Sequence, residues 1–147
     1  MPTGASNGFH SMRVMGIDWG KVRLGLALSD PSGLIATPLE SRKRKGDEHD
    51  IGEIIRIASD RDVSEIVVGI PLDIEGEFGK TATTAKAFAG KIEEAFGGAV
   101  HLVDERYSTR ASQRSMIEAD LSRKRRKKLR DGAAAAWILQ GFLDSRN

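Results

Sequence analysis

The chain has 147 residues, a length that suits one ordinary domain, and 39% of them are hydrophobic, enough for a core. It has no cysteine, which excludes disulfides and thiolate metal sites and fits a reducing cytoplasmic setting. Net charge is only +2, but the sequence pI is near 9.0, and mean hydropathy is -0.34. The longest apolar stretch, Ala133–Leu139, is far short of the roughly 20 residues a membrane span needs, so no membrane partner is expected.

Residues 1–11 are small and polar and lack the apolar segment of a secretory signal. They read as a flexible extension before a single domain at 12–147, with Met12 a natural start. Arg13–Asp18 reads as a first strand, and Trp19–Arg23 as a turn. Leu24–Ser29 is a second strand with Leu24, Leu26 and Leu28 on one face. Asp30-Pro31-Ser32-Gly33 signals a turn. Leu34–Ser41 is a third strand, which Pro38 places at an edge. Short turns make these three an antiparallel meander.

Asp50, with Glu53 three residues on, predicts a capping box for a helix whose inner face carries Ile51, Ile54, Ile55 and Ala58. Ile66–Ile70 is a continuous β-branched run, the signature of a buried parallel strand. A loop spans Pro71–Gly79. A second helix covers Thr81–Phe96, with Ala85, Phe88, Ile92 and Phe96 or Ala95 inward, and Gly97-Gly98 ends it. Val100–Val103 is a fifth strand. A third helix runs from Thr109 to about Ala119, and a last from Asp131 to Leu143. The expectation is an α/β fold: a five-stranded mixed sheet, antiparallel in its first three strands and parallel in the last two, flanked by helices.

In open α/β sheets ligands bind beyond the carboxyl ends of parallel strands. Asp18 ends the first strand, Asp73 lies in the loop after the fourth, and Asp104-Glu105-Arg106 follows the fifth. Asp131 opens the last helix. Gathered carboxylates repel unless a cation lies between them, and Mg2+ or Mn2+ prefers oxygen ligands. Two such ions about 3.5–4 Å apart can activate water and stabilise a leaving oxygen in phosphodiester hydrolysis. Asp18, Glu105 and Asp131 meet that need, with Asp104 and Asp73 in reserve. Singly, each acid has a plainer reading: a turn residue, a surface ion pair, a helix cap.

Cationic residues cluster. Arg123, Lys124, Arg125, Arg126, Lys127 and Lys128 are consecutive and, with Arg130, would form a phosphate clamp directly before Asp131. Arg42–Lys45 is a second run, as readily a solvated loop as a binding surface. Lys21 and Arg23 follow Asp18 and suit backbone phosphate. Arg106 suits either phosphate or a local carboxylate, and Ser108 and Thr109 suit the cap of the third helix. Aromatics are only 5%, so base stacking is limited to Trp19 and Tyr107 as exposed candidates, with Trp137 in the core. His10, His49 and His101 are isolated and carry no assigned chemistry.

Four segments resemble the motifs of the YqgF/RuvX family: Gly16–Ala27, Val68–Gly76, Asp104–Thr109 and Asp131–Gln140. The resemblance runs from about Met12 to the C-terminus. It implies a ribonuclease H-like fold related to Holliday junction resolvases, and a nuclease that finishes the 5′ end of small-subunit ribosomal RNA; an older description is Holliday junction resolvase. It also implies that Asp18, Glu105 and Asp131 are the metal-binding carboxylates. Trp19 replaces a different aromatic, and Asp73 stands where Asn is common. The expected partner is structured RNA or branched DNA, with the oligomeric state open between monomer and homodimer.

Rival readings are weaker. Gly79-Lys80-Thr81 lacks the P-loop's earlier glycine, since Ile74 occupies that position. An actin-like or sugar-kinase phosphate loop needs a second domain to enclose ATP. A non-catalytic nucleic-acid-binding module would have no use for the three acids.

Overall fold

The computed structural model describes residues 11–70, 80–104 and 123–146; for 80–81, 104 and 123–132 it describes the backbone alone. Its strands are β1 (Arg13–Trp19), β2 (Arg23–Ser29), β3 (Ala36–Pro38), β4 (Arg42–Lys43), β5 (Val63–Ile70) and β6 (Ala99–Asp104). Its helices are α1 (Asp47–Asp60), α2 (Lys80–Phe96) and α3 (Arg123–Arg146). They form one mixed sheet in the order β3-β2-β1-β5-β6, with β4 also on β2. β1 pairs antiparallel with β2 and parallel with β5, which pairs parallel with β6. The meander followed by βαβ units is therefore present, with six strands rather than five.

The extra strand comes from a break in the expected third one. Ala27 faces Pro38 across the edge of β2, whereas Leu24 faces Arg42, a shift of one residue between the two stretches. Such a bulge re-aims every side chain beyond it. Ahead of it, Asp30 holds the β2–β3 turn: its carboxylate accepts the N–H groups of Leu34 and Ile35 at 2.8 Å each. Those N–H groups, Ile35's foremost, keep the Asp30 carboxyl well below the usual range.

Alternation along the strands builds two cores. Met15, Ile17, Trp19, Leu24, Leu26, Leu28, Ile66 and Val68 pack with Ile54 of α1 and Phe88 and Ile92 of α2. Val14, Ala27 and Val67 point the other way and pack with Ala135, Ile138, Leu139 and Leu143 of α3. The sheet is thus a middle layer with α1 and α2 on one face and α3 on the other. The inward residues expected on α1 and α2 are inward, with Phe96 rather than Ala95 at the last turn of α2. Gly97, at φ 73°, ends α2 in the left-handed region.

Three expectations are corrected. α1 begins at Asp47 with Gly46 as N-cap and no side-chain cap, so Asp50 is not the capping residue. It lies inside the first turn and is 5% exposed. α3 begins at Arg123, so the basic run 123–128 forms its first turns, and Asp131 lies within the helix instead of opening it. Arg and Lys are strong helix formers and need no apolar stripe to continue a helix. Finally, the two tryptophans exchange places: Trp19 is 6% exposed and belongs to the core, while Trp137 is 38% exposed. Trp19 shares strand parity with Met15 and Ile17, and Trp137 lies off the Ala134–Ala135–Ile138–Leu139 stripe. The expected loop at 71–79 and helix at 109–119 lie outside the described residues, as do residues 1–10.

Candidate functional site

The carboxyl ends of β1, β5 and β6 are level. Asp18 faces Gly69 of β5, Gly69 faces Val103 of β6, and Ile70 faces Asp104. Asp18 therefore stands at the sheet edge that the strand order leaves for ligands. It is half-buried. Its partner on the other side, in β2, is Gly25. Both cross-strand neighbours of Asp18 thus lack a side chain, and its carboxylate is not crowded from either strand.

α3 crosses directly over this end of β1. A Cβ placed at Gly16 would lie 2.8 Å from the Leu139 Cβ and 2.9 Å from the Ala135 carbonyl oxygen, so only glycine allows the helix this close. Val14, two residues earlier, clusters with Leu143, so α3 runs antiparallel to β1. Two residues of strand advance about 6.7 Å, and four of helix about 6 Å. The two elements thus advance nearly in step. With Gly16 against Ala135 and Leu139, the backbone turn that begins at Asp131 comes level with Asp18.

Of the other expected site residues, Asp104 ends β6, and Glu105 follows it outside the described residues, as do Asp73, Arg106 and Tyr107. Lys21 and Arg23 are exposed at the turn after Asp18 and the start of β2. Among the described side chains no group of three potential metal ligands occurs; those of Glu105 and Asp131 are not among them. No helix of the described residues is long and apolar enough to cross a membrane.

One residue of the second basic run is neither solvated nor free for phosphate. Arg44 is 13% exposed in its side chain. Its Nε donates to Asp50 Oδ2 at 2.6 Å, Nη2 to Asp47 Oδ1 at 2.5 Å, and Nη1 to the Gly20 carbonyl at 3.0 Å. Its guanidinium also lies 5.3 Å from the Trp19 ring centroid and 5.0 Å from that of Phe88. Arg44 therefore ties the turn after Asp18 to α1. Asp47 also accepts from Lys91 at 2.9 Å, and Lys91 first, then Arg44, hold its carboxyl below the ordinary value. Sequence reasoning missed this anchor, because Gly20, Phe88 and Asp50 meet Arg44 only through tertiary contact.

At the far end of the α3 face charges are paired. Glu65 accepts from Arg146 at 2.6 Å and lies 2.8 Å from His101 Nε2, while the Phe142 ring packs against His101 and Arg146. Burial raises the Glu65 carboxyl, but the Arg146 and His101 interactions outweigh it, and the net shift is downward.

Solved structures share this architecture. T. thermophilus RuvC in complex with Holliday junction substrate superposes with a TM-score of 0.61 over 92% of this chain and 95% of that one, at 18% identity. The Fowlpox virus resolvase in complex with Holliday junction DNA gives 0.59 over 92% and 99%, at 13% identity. The mixed sheet between helices is the ribonuclease H-like fold of these resolvases. At the sequence level, residues 12–145 match the RuvX family model, described as Holliday junction resolvase. A Clostridium beijerinckii protein named "Putative pre-16S rRNA nuclease" is 42% identical over 133 residues, covering 90% of this chain and 96% of that protein. A Myxococcus xanthus protein of the same name is 40% identical over 134 residues, covering 91% and 89%. The chain belongs to the RuvX family.

Proposed function

We propose that this chain is a divalent-metal-dependent nuclease that hydrolyses phosphodiester bonds in maturing the 5′ end of pre-16S ribosomal RNA in the cytoplasm. The observation that carries this reading is the place of Asp18: a half-buried carboxylate at the carboxyl edge of parallel strands, between two glycines. The next strand end, at Asp104, is followed directly by Glu105. Hard oxygen donors fit Mg2+ or Mn2+. Asp18, Glu105 and Asp131 would hold the metal, which when bound acidifies the attacking water and neutralises the leaving oxygen.

The chain's own cations do the remaining work. Lys21 and Arg23 bind substrate phosphates beside Asp18. Arg106 and the Arg123, Lys124, Arg125, Arg126, Lys127 and Lys128 turns of α3 extend that contact just ahead of Asp131. Because the basic run belongs to the same helix as Asp131, a strand held by it is delivered to the acid by a rigid element.

Asp18→Asn tests the reading. It should lower cleavage of a 5′-extended pre-16S substrate, with Mg2+ or Mn2+, more than about a hundredfold, with substrate affinity and folding retained. Cleavage by the variant at the parent's rate overturns the site. The family description favours a second substrate, the four-way DNA junction. Its two strands are cut symmetrically, which calls for a two-fold dimer. Cleavage of a junction but not of the RNA, by a dimeric species, would decide for that substrate.

A further inference from the structure

Resting on the nuclease reading, we propose that Lys43, in β4 at the edge of the sheet, continues the phosphate contact of Lys21 and Arg23, so that substrate backbone runs from Asp18 across β2 to β4. Strand parity carries the placement. Asp18 faces Gly25, and Gly25 and Arg23 share one side of β2, the side on which Ala27 meets α3. Arg23 therefore lies on the Asp18 face. The bulge between β3 and β4 puts Lys43, and not Arg42, directly opposite Arg23 on that face. With strands about 4.8 Å apart and about 3.4 Å per residue, Arg23 stands roughly 8 Å and Lys43 roughly 12 Å from Asp18, measured between Cα positions.

Like charges directly opposed across two strands destabilise the pairing. A sheet edge that keeps Arg23 against Lys43 has a ready partner in an anion. Among the described residues no carboxylate forms an ion pair with Lys21, Arg23 or Lys43, and all three are exposed. Their neighbours in the same run behave otherwise: Arg42 is bound to Glu53 at 3.1 Å, and Arg44 is locked against α1. The run thus divides into cations used by the fold and cations left facing the site. A polyanion with regularly spaced charges, a nucleic-acid backbone, fits the second set.

The test measures binding without cleavage. The full chain carrying Asp18→Asn is titrated with a labelled duplex RNA at 50–200 mM salt, with and without Lys43→Gln. The lost phosphate contact lowers the salt slope by about 0.9, so the parent should lose about 3.5-fold more affinity than the variant over that range. Arg61→Gln, an exposed cation just before the amino end of β5, should leave the slope unchanged. Equal slopes for parent and Lys43→Gln variant overturn the track but not the nuclease reading. A parent that binds no nucleic acid at all overturns both. An equal loss in Arg61→Gln would reduce the effect to net charge and also overturns the track.

Discussion

Lys43 and Arg44 are neighbours in the chain and opposites in use. Arg44 turns toward α1 and α2, where it makes three hydrogen bonds and packs against Trp19 and Phe88. Lys43, opposite Arg23 in the register, falls on the Asp18 face by strand parity, and no described carboxylate forms an ion pair with it. One face of this sheet edge has closed its charges into the fold, and the other has left them for a partner. The difference teaches that a basic run is not one feature. Strand alternation deals its members to two environments, and a one-residue bulge decides which goes where.

The comparison predicts its largest effect at Arg44. Arg44→Leu leaves Asp50, which is 5% exposed, without its charged partner. Removing one member of a buried ion pair costs about 3–5 kcal/mol. Urea unfolding should register that loss, whereas Lys43→Leu should change stability by less than about 0.5 kcal/mol. Similar losses in the two variants would break the contrast between the faces.

A smaller effect is expected at Gly16, where the helix carrying Asp131 lies on β1. Gly16→Val drives side-chain atoms into Leu139 and the Ala135 carbonyl, an overpacking that costs about 1–3 kcal/mol. Because relief requires α3 to move off the strand that bears Asp18, activity should fall more than stability does. A variant that remains folded at 25 °C and cleaves at the parent's rate would uncouple the helix position from the site.

Much of this was legible before any coordinates. The β-branched run Ile66–Ile70, the leucines alternating at 24, 26 and 28, and the Asp30–Gly33 turn encode their structure locally. So does the position of Asp18, since a strand followed by a turn places its last residue at an edge. What escaped depends on long-range register or on the absence of a pattern. Arg123–Arg130 continues a helix without an apolar stripe, so α3 looked eight residues shorter at its amino end than it is. Gly46 caps α1 through backbone geometry alone, while the more conspicuous Asp50 serves Arg44. The bulge beside β4 leaves no local mark, and with it the face of Lys43 was hidden.

The smallest effect sharpens the contrast along the α3 face itself. At the amino ends of β5 and β6, Glu65, His101 and Arg146 pair with one another, at the opposite end of this face from Asp18. Glu65 has a depressed folded-state value, because the Arg146 and His101 contacts overcome burial. A depressed carboxyl contributes stability that is fully present above the unfolded value of about 4.3 and is lost as pH falls through the folded one. Arg146 is 44% exposed in its side chain, so solvent screens the pair, and its worth is about 0.2–1 kcal/mol. Glu65→Gln should therefore be less stable than the parent by that amount at pH 7, with the gap shrinking below pH 4 as the parent protonates. Urea titrations at pH 7, 5 and 3 read both numbers. A gap that persists undiminished at pH 3 would show that Glu65 acts through packing instead of charge. The same substitution should leave nucleic-acid affinity and its salt slope unchanged, because this end of the face has already spent its charges on the fold.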